Sequence, residues 1–115
     1  MAEQIQNIQD IQEITCRDLK SKIDIDEEFV LIDVREPEEF EVCHIPGSIL
    51  IPLSELEDHL DELDKEADYV IHCKMGGRSL KAAMVMKEFG FKKVINLTGG
   101  IYQWAQDIDK DMQLY

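Results

Sequence analysis

Val70-Ile71-His72-Cys73-Lys74-Met75-Gly76-Gly77-Arg78-Ser79 runs from an apolar stretch, through a cysteine and two glycines, into an Ala- and Met-rich segment. Val70 and Ile71, after Asp68-Tyr69, read as a short buried strand. Arg78 to Phe89, with Leu80, Ala82, Ala83, Met84, Val85 and Met86, is too long for another strand and reads as a largely buried helix. Cys73 therefore stands at a strand-to-helix turn. Successive N–H groups in such a turn face inward and the helix adds its positive end, so the site suits an anion or a thiolate. Gly76 and Gly77 permit the tight backbone this requires. Lys74 and Arg78 place two cations beside the sulfur, an arrangement that favours the thiolate and makes Cys73 the candidate nucleophile.

Outward from this stretch, Phe29-Val30-Leu31-Ile32 is a continuous apolar run, the pattern of a strand buried on both faces of a parallel sheet. Asp33 and Arg35 follow at its carboxyl end, the edge where open α/β sheets place their sites. Pro37 suits the first turn of a short acidic helix from Glu36 to Val42. Cys43-His44-Ile45-Pro46-Gly47 forms a turn, Ile49-Leu50-Ile51 a further strand, and Ser54 an N-cap for a helix with Leu53, Leu56, Leu60 and Leu63 on one face. Glu55, Glu57, Asp58, Asp61, Glu62 and Asp64 read as its solvated face, and His59 as exposed and inert. Upstream, a short strand is expected around Glu13-Ile14, followed by a helix from a Thr15 cap through Ile23 with Asp18 completing a capping box. Cys16, in its first turn, reads as structural. Downstream, Gly90 ends the central helix, Val94-Ile95-Asn96-Leu97 forms the last strand, and Thr98-Gly99-Gly100 opens a closing helix anchored by Trp104. Strands alternating with helices through short connections give an α/β fold, a central parallel sheet with helices on both faces. Residues 1–11 read as a flexible leader and 12–115 as one domain; the tail from Ile108 to Tyr115 is not expected to be needed for the fold.

Four residues separate Cys73 from Arg78, one fewer than in cysteine phosphatases, and a shorter ring of amides suits a persulfide better than a phosphoryl group. The loop resembles Cys-x-x-Gly-x-Arg-Ser of the single-domain rhodaneses. Leu31-Ile32-Asp33-Val34-Arg35 with Pro37, Phe40 and His44-Ile45-Pro46-Gly47-Ser48 is similar to that family's upstream signature, and Asn96-Leu97-Thr98-Gly99-Gly100-Ile101 with Trp104 to its last strand and closing helix. The resemblance is also to the rhodanese domain fused behind MoeB/ThiF-like enzymes that activate sulfur-carrier proteins. It implies the rhodanese-like fold and a sulfurtransferase working through a persulfide on Cys73, with Lys74, Met75, Gly76, Gly77, Arg78 and Ser79 binding the donor. It further implies Asp33 and Arg35 as buttresses of the loop, with Arg35 also near the bound anion, and His44 as a supporting turn residue. The implied donors are thiosulfate or a cysteine desulfurase, and the acceptors a thiol, cyanide or a sulfur-carrier protein. Cys43 stands where the family usually has glycine, which reads as a neutral substitution, with a resolving thiol as the alternative. A phosphatase or arsenate reductase, and a non-catalytic binding module, stay open as rival readings.

Composition narrows the field. With 25 acidic against 12 basic residues the net charge is −13, which disfavours nucleic acid and anionic membranes as partners. Three cysteines at irregular spacing give no disulfide framework, and the paired Cys43-His44 and His72-Cys73 lack the spacing of a zinc site. Neither a signal peptide nor a membrane span is legible, so a reducing cytoplasm is the expected setting. Nothing calls for a metal or an organic cofactor.

Overall fold

The computed structural model describes residues 11–115, so the expected leader lies outside the described residues except for Ile11, which is buried. Five parallel strands form one sheet in the order β1-β5-β4-β2-β3: β1 Gln12–Ile14, β2 Val30–Asp33, β3 Ile49–Leu50, β4 Asp68–His72 and β5 Lys93–Leu97. The helices are α1 Cys16–Asp24, α2 Pro37–Val42, α3 Leu56–His59, α4 Gly77–Glu88 and α5 Gly100–Asp107. None of the described helices is long and apolar enough to cross a membrane.

Strand β4 is the middle strand, and its alternation sorts the core into two halves. Tyr69, Ile71 and Cys73 face one side with Ile32, Val94, Leu56, Leu60, Ala82, Ala83 and Met86, so α3 and α4 cover that face. Val70 faces the other with Leu31, Ile95, Leu97, Leu19, Ile101 and Trp104, covered by α1 and α5. Each of these fully buried aliphatic side chains contributes roughly 1.5–3 kcal/mol by leaving water. The sheet is thereby fixed in register around the strand that carries Cys73.

The local signals around the sheet are realised with two corrections. Thr15 accepts from Asp18 N at 3.1 Å while Asp18 Oδ2 accepts from Thr15 N at 3.3 Å, the reciprocal cap expected for α1. Ser54, by contrast, caps nothing. The cap position lies two residues earlier, at Pro52, and the segment breaks into a 3-10 turn at Leu53–Glu55, one α turn, and a second 3-10 turn at Leu60–Glu62. Its five acidic residues fall at i,i+3 and i,i+4 spacings with only His59 to offset them, which weakens a regular helix. Burial of Leu56 and Leu60 holds it in place. The second correction concerns α4, which buries only Ser79, Ala82, Ala83 and Met86 and leaves Phe89 46% exposed.

Candidate active site

Cys73 follows the last residue of β4 and is itself only 2% exposed. Gly76, at φ 119°, turns the chain into α4, a conformation that any other side chain would strain. Its N–H donates to Cys73 Sγ at 3.1 Å. Ser79 Oγ lies 3.4 Å from the same sulfur, 2.5 Å from Asn96 Oδ1 and 3.2 Å from the Gly76 carbonyl. With its one proton directed at Asn96 Oδ1, this hydroxyl is placed to accept from the thiol. The remaining amides expected to face the sulfur belong to the first turn of α4, where Gly77, Arg78 and Ser79 have no intrahelical acceptor. The positive end of that helix therefore abuts the sulfur.

The loop is clamped from behind by α5. Ile101 N donates to the Cys73 carbonyl at 2.9 Å and Tyr102 N to the Lys74 carbonyl at 3.0 Å. Gly100, at φ 59°, allows this approach, since a Cβ there would lie 2.6 Å from the Cys73 carbonyl oxygen and closer still to that of Lys74. Gly100→Ala is accordingly expected to lower stability by about 2–4 kcal/mol and to displace the loop, read as a lower urea midpoint together with lost reactivity of Cys73. A midpoint within experimental error of the parent would contradict this close packing.

The cations do not stand free. Arg78 forms a fork on Glu39, Nη1 to Oε1 at 2.8 Å and Nη2 to Oε2 at 3.0 Å. Those bonds draw the Glu39 carboxyl down to about 2 and push the Arg78 guanidinium up, so the pair is ionised across the neutral range. Lys74 Nζ donates to the Tyr115 carbonyl at 3.0 Å and lies 4.5 Å over the Tyr115 ring. Met75, 64% exposed, sits on the outside of the loop.

Arg35, expected also near the bound anion, spends its guanidinium on protein partners. It is fully buried, and its five N–H groups are all engaged. Nε and Nη2 fork onto Asp33 at 2.9 and 2.7 Å, Nη2 also reaches the Cys43 carbonyl at 2.7 Å, and Nη1 reaches the Tyr115 hydroxyl at 2.9 Å and the Glu39 carbonyl at 3.4 Å. Burial opposes its charge, but the bonds to Asp33 and Tyr115 outweigh that and leave the guanidinium firmly protonated. Asp33 and Arg35 thus tie β2 to α2 and to the tail, which makes the tail part of the site rather than an appendage. His44 stacks on Phe40 with ring centres 4.1 Å apart and bonds its carbonyl at 3.1 Å, a turn contact. His72 is fully buried beside Asp33, 3.6 Å away, and burial lowers its basicity so that the ring is neutral.

The other two thiols differ in kind. Cys16 is buried against the carbonyls of Thr98 and Gly100, and burial followed by the charge of Asp107 pushes its thiol up to about 11. Cys43 packs in the same half of the core as Cys16, across the sheet from the half that holds Cys73. Cys16 opens α1 but its thiol points at carbonyl oxygens, and neither sulfur receives a backbone N–H as Cys73 does from Gly76.

Glu39, Asn96 and Tyr115 were not among the residues legible as functional. Asn96 left the one available trace, a polar residue inside the apolar strand Val94-Ile95-Asn96-Leu97. Glu39 was hidden among the acidic residues of α2, and nothing local marked Tyr115.

Residues 15–107 match the model of the rhodanese-like domain. The chain belongs to the rhodanese-like family. Among rhodanese-like relatives, YrkF of Bacillus subtilis, named as a sulfur carrier protein, is 46% identical over 100 residues, covering 87% of this chain and 54% of its own length. The chain therefore spans about half of that relative. YtwF of the same organism, named as a sulfurtransferase, is 41% identical over 83% of this chain and 91% of its own. A rhodanese-like domain protein from Staphylococcus aureus superposes with a TM-score of 0.79 at 30% identity, covering 91% of this chain and 99% of the other. Family and sheet architecture thus agree with the resemblance carried by the motifs.

Proposed function

We propose that this rhodanese-like domain is a sulfurtransferase that carries sulfane sulfur as a persulfide on Cys73. The observation that supports this most is the environment of one sulfur atom. Cys73 Sγ receives the Gly76 N–H at 3.1 Å, sits beside the Ser79 hydroxyl and meets the amino end of α4. The amide and the helix end are arranged for a negative charge that sits first on the thiolate and then on the persulfide. The Cys73 thiolate attacks the outer sulfur of a donor, thiosulfate or a persulfide held by a cysteine desulfurase. As the new S–S bond forms, the donor's own bond to that sulfur breaks, and sulfite or the donor thiolate departs with the electron pair. An acceptor thiolate, cyanide, or the activated end of a sulfur-carrier protein then takes the terminal sulfur and returns Cys73 to its thiolate. A general base is not needed in either half, consistent with a neutral, buried His72. The kinship with YrkF and YtwF, named for sulfur carriage and sulfur transfer, fits this chemistry.

The test is intact-mass spectrometry after brief exposure to thiosulfate or to a loaded cysteine desulfurase, without reductant. A gain of about 32 Da, mapped to the Cys73 peptide and removed by cyanide, is expected. Failure to gain sulfur from either donor would favour a non-catalytic binding module instead.

A further inference from the structure

Both cations beside the candidate nucleophile are already paired. The fork that Arg78 makes with Glu39 is the one a guanidinium would make with any planar or pyramidal oxyanion, including the sulfonate face of thiosulfate. Glu39 is itself held fast. Its Oε1 accepts from Glu36 N at 2.8 Å, and its Oε2 accepts from the Tyr115 hydroxyl at 2.8 Å, which in turn accepts from Arg35. Lys74 is drawn onto the carbonyl and ring of the same tyrosine. Arg35 has no free N–H. The Nη1–Nη2 fork of Arg78 is thus occupied by a carboxylate, and a doubly negative donor approaching that fork meets its negative charge, in a domain whose net charge is −13. A donor whose reacting end carries less charge meets no such obstacle.

We propose that Glu39 sets the donor preference of this site: by closing the Arg78 fork it favours persulfides, R–S–SH, over thiosulfate. The proposal rests on Cys73 being the residue that takes up sulfur. In the favoured step Cys73 Sγ bonds the terminal sulfur of R–S–SH, the bond from that sulfur to the donor breaks, and R–S⁻ leaves with the bonding electrons. The proton stays with the transferred sulfur, so neither an oxidant nor a reductant is required. Glu39 touches neither sulfur; it acts through Arg78 as a positioning residue that determines specificity.

Glu39→Gln keeps the side chain's shape and an acceptor for Glu36 N–H but removes the charge and turns an amide toward a guanidinium that needs an acceptor. The measurement is the rate constant for sulfur uptake at Cys73, by rapid quench and intact mass, from thiosulfate and separately from the persulfide of mercaptoethanol. The ratio of the thiosulfate to the persulfide constant is expected to rise about tenfold in Glu39→Gln, the worth of one hydrogen bond to a charged group. That gain should vanish when Arg78→Ala is added. Glu39→Ala, which also opens the fork, provides the same comparison if the glutamine variant does not fold. A ratio that stays put in both, or a gain that survives the loss of Arg78, overturns the role of Glu39 while leaving the persulfide reading intact. A parent protein that takes up sulfur from neither donor overturns both.

Discussion

Cys73→Ser is expected to gain no sulfur mass from any donor, and its turnover to fall to the uncatalysed background. The serine oxygen is not ionised near neutral pH and cannot form the S–S bond on which the proposed cycle depends. The substitution is otherwise mild. The hydroxyl inherits the Gly76 N–H and the neighbouring Ser79 as partners, so the buried polar atom is satisfied and the cost to stability stays within about 1 kcal/mol. The variant should therefore retain the parent's circular dichroism and urea midpoint. This separates loss of the nucleophile from loss of the fold. Sulfur uptake persisting in Cys73→Ser would move the chemistry to Cys16 or Cys43, against the raised pKa of Cys16 and the place of Cys43 in the other half of the core.

Asp33→Ala is expected to lower stability most, by about 3–5 kcal/mol, because it leaves the Arg35 guanidinium buried without its counter-charge. Both side chains are fully buried, so water cannot replace the lost carboxylate without opening the core. A domain of this size holds roughly 5–15 kcal/mol in total, and the variant is expected to lie near the edge of folding at room temperature. Urea denaturation followed by circular dichroism measures the effect. A loss below about 1 kcal/mol would mean that Arg35 finds other acceptors, and that its tie between β2, α2 and the tail is dispensable.

The parts of this site that could be read from the chain are those made by neighbours in sequence. A strand, a cysteine, two glycines and a helix start sit within a few residues of one another, and their conformational requirements are local. The parallel sheet was legible for the same reason, since runs such as Phe29 to Ile32 and Val94 to Leu97 carry their burial in their composition. Arg35 shows where this stops. Its charge is visible in the sequence, but its burial and its five bonds are made with Asp33, Glu39, Cys43 and Tyr115, and only the fold brings those together. Glu39 and Tyr115 meet the active-site loop across 39 and 41 residues. No periodicity reports contacts of that reach. The Leu53 to Leu63 segment is a third kind of case: apolar spacing located the buried face correctly, but the like-charge repulsion that decides between α and 3-10 hydrogen bonding is not expressed in that spacing.

The clamp of Ile101 and Tyr102 on the Cys73 and Lys74 carbonyls has a consequence for how the protein comes into being. During synthesis the loop that surrounds the nucleophile leaves the ribosome well before the residues that fasten it. Until α5 has emerged and docked, the turn around Cys73 lacks the two hydrogen bonds that fasten it from behind. A nascent chain halted before Gly100 should thus carry a reagent-accessible cysteine of ordinary reactivity, and sulfur chemistry should begin only once the last helix is in place. On the proposed function, the order of synthesis would complete the reactive centre last.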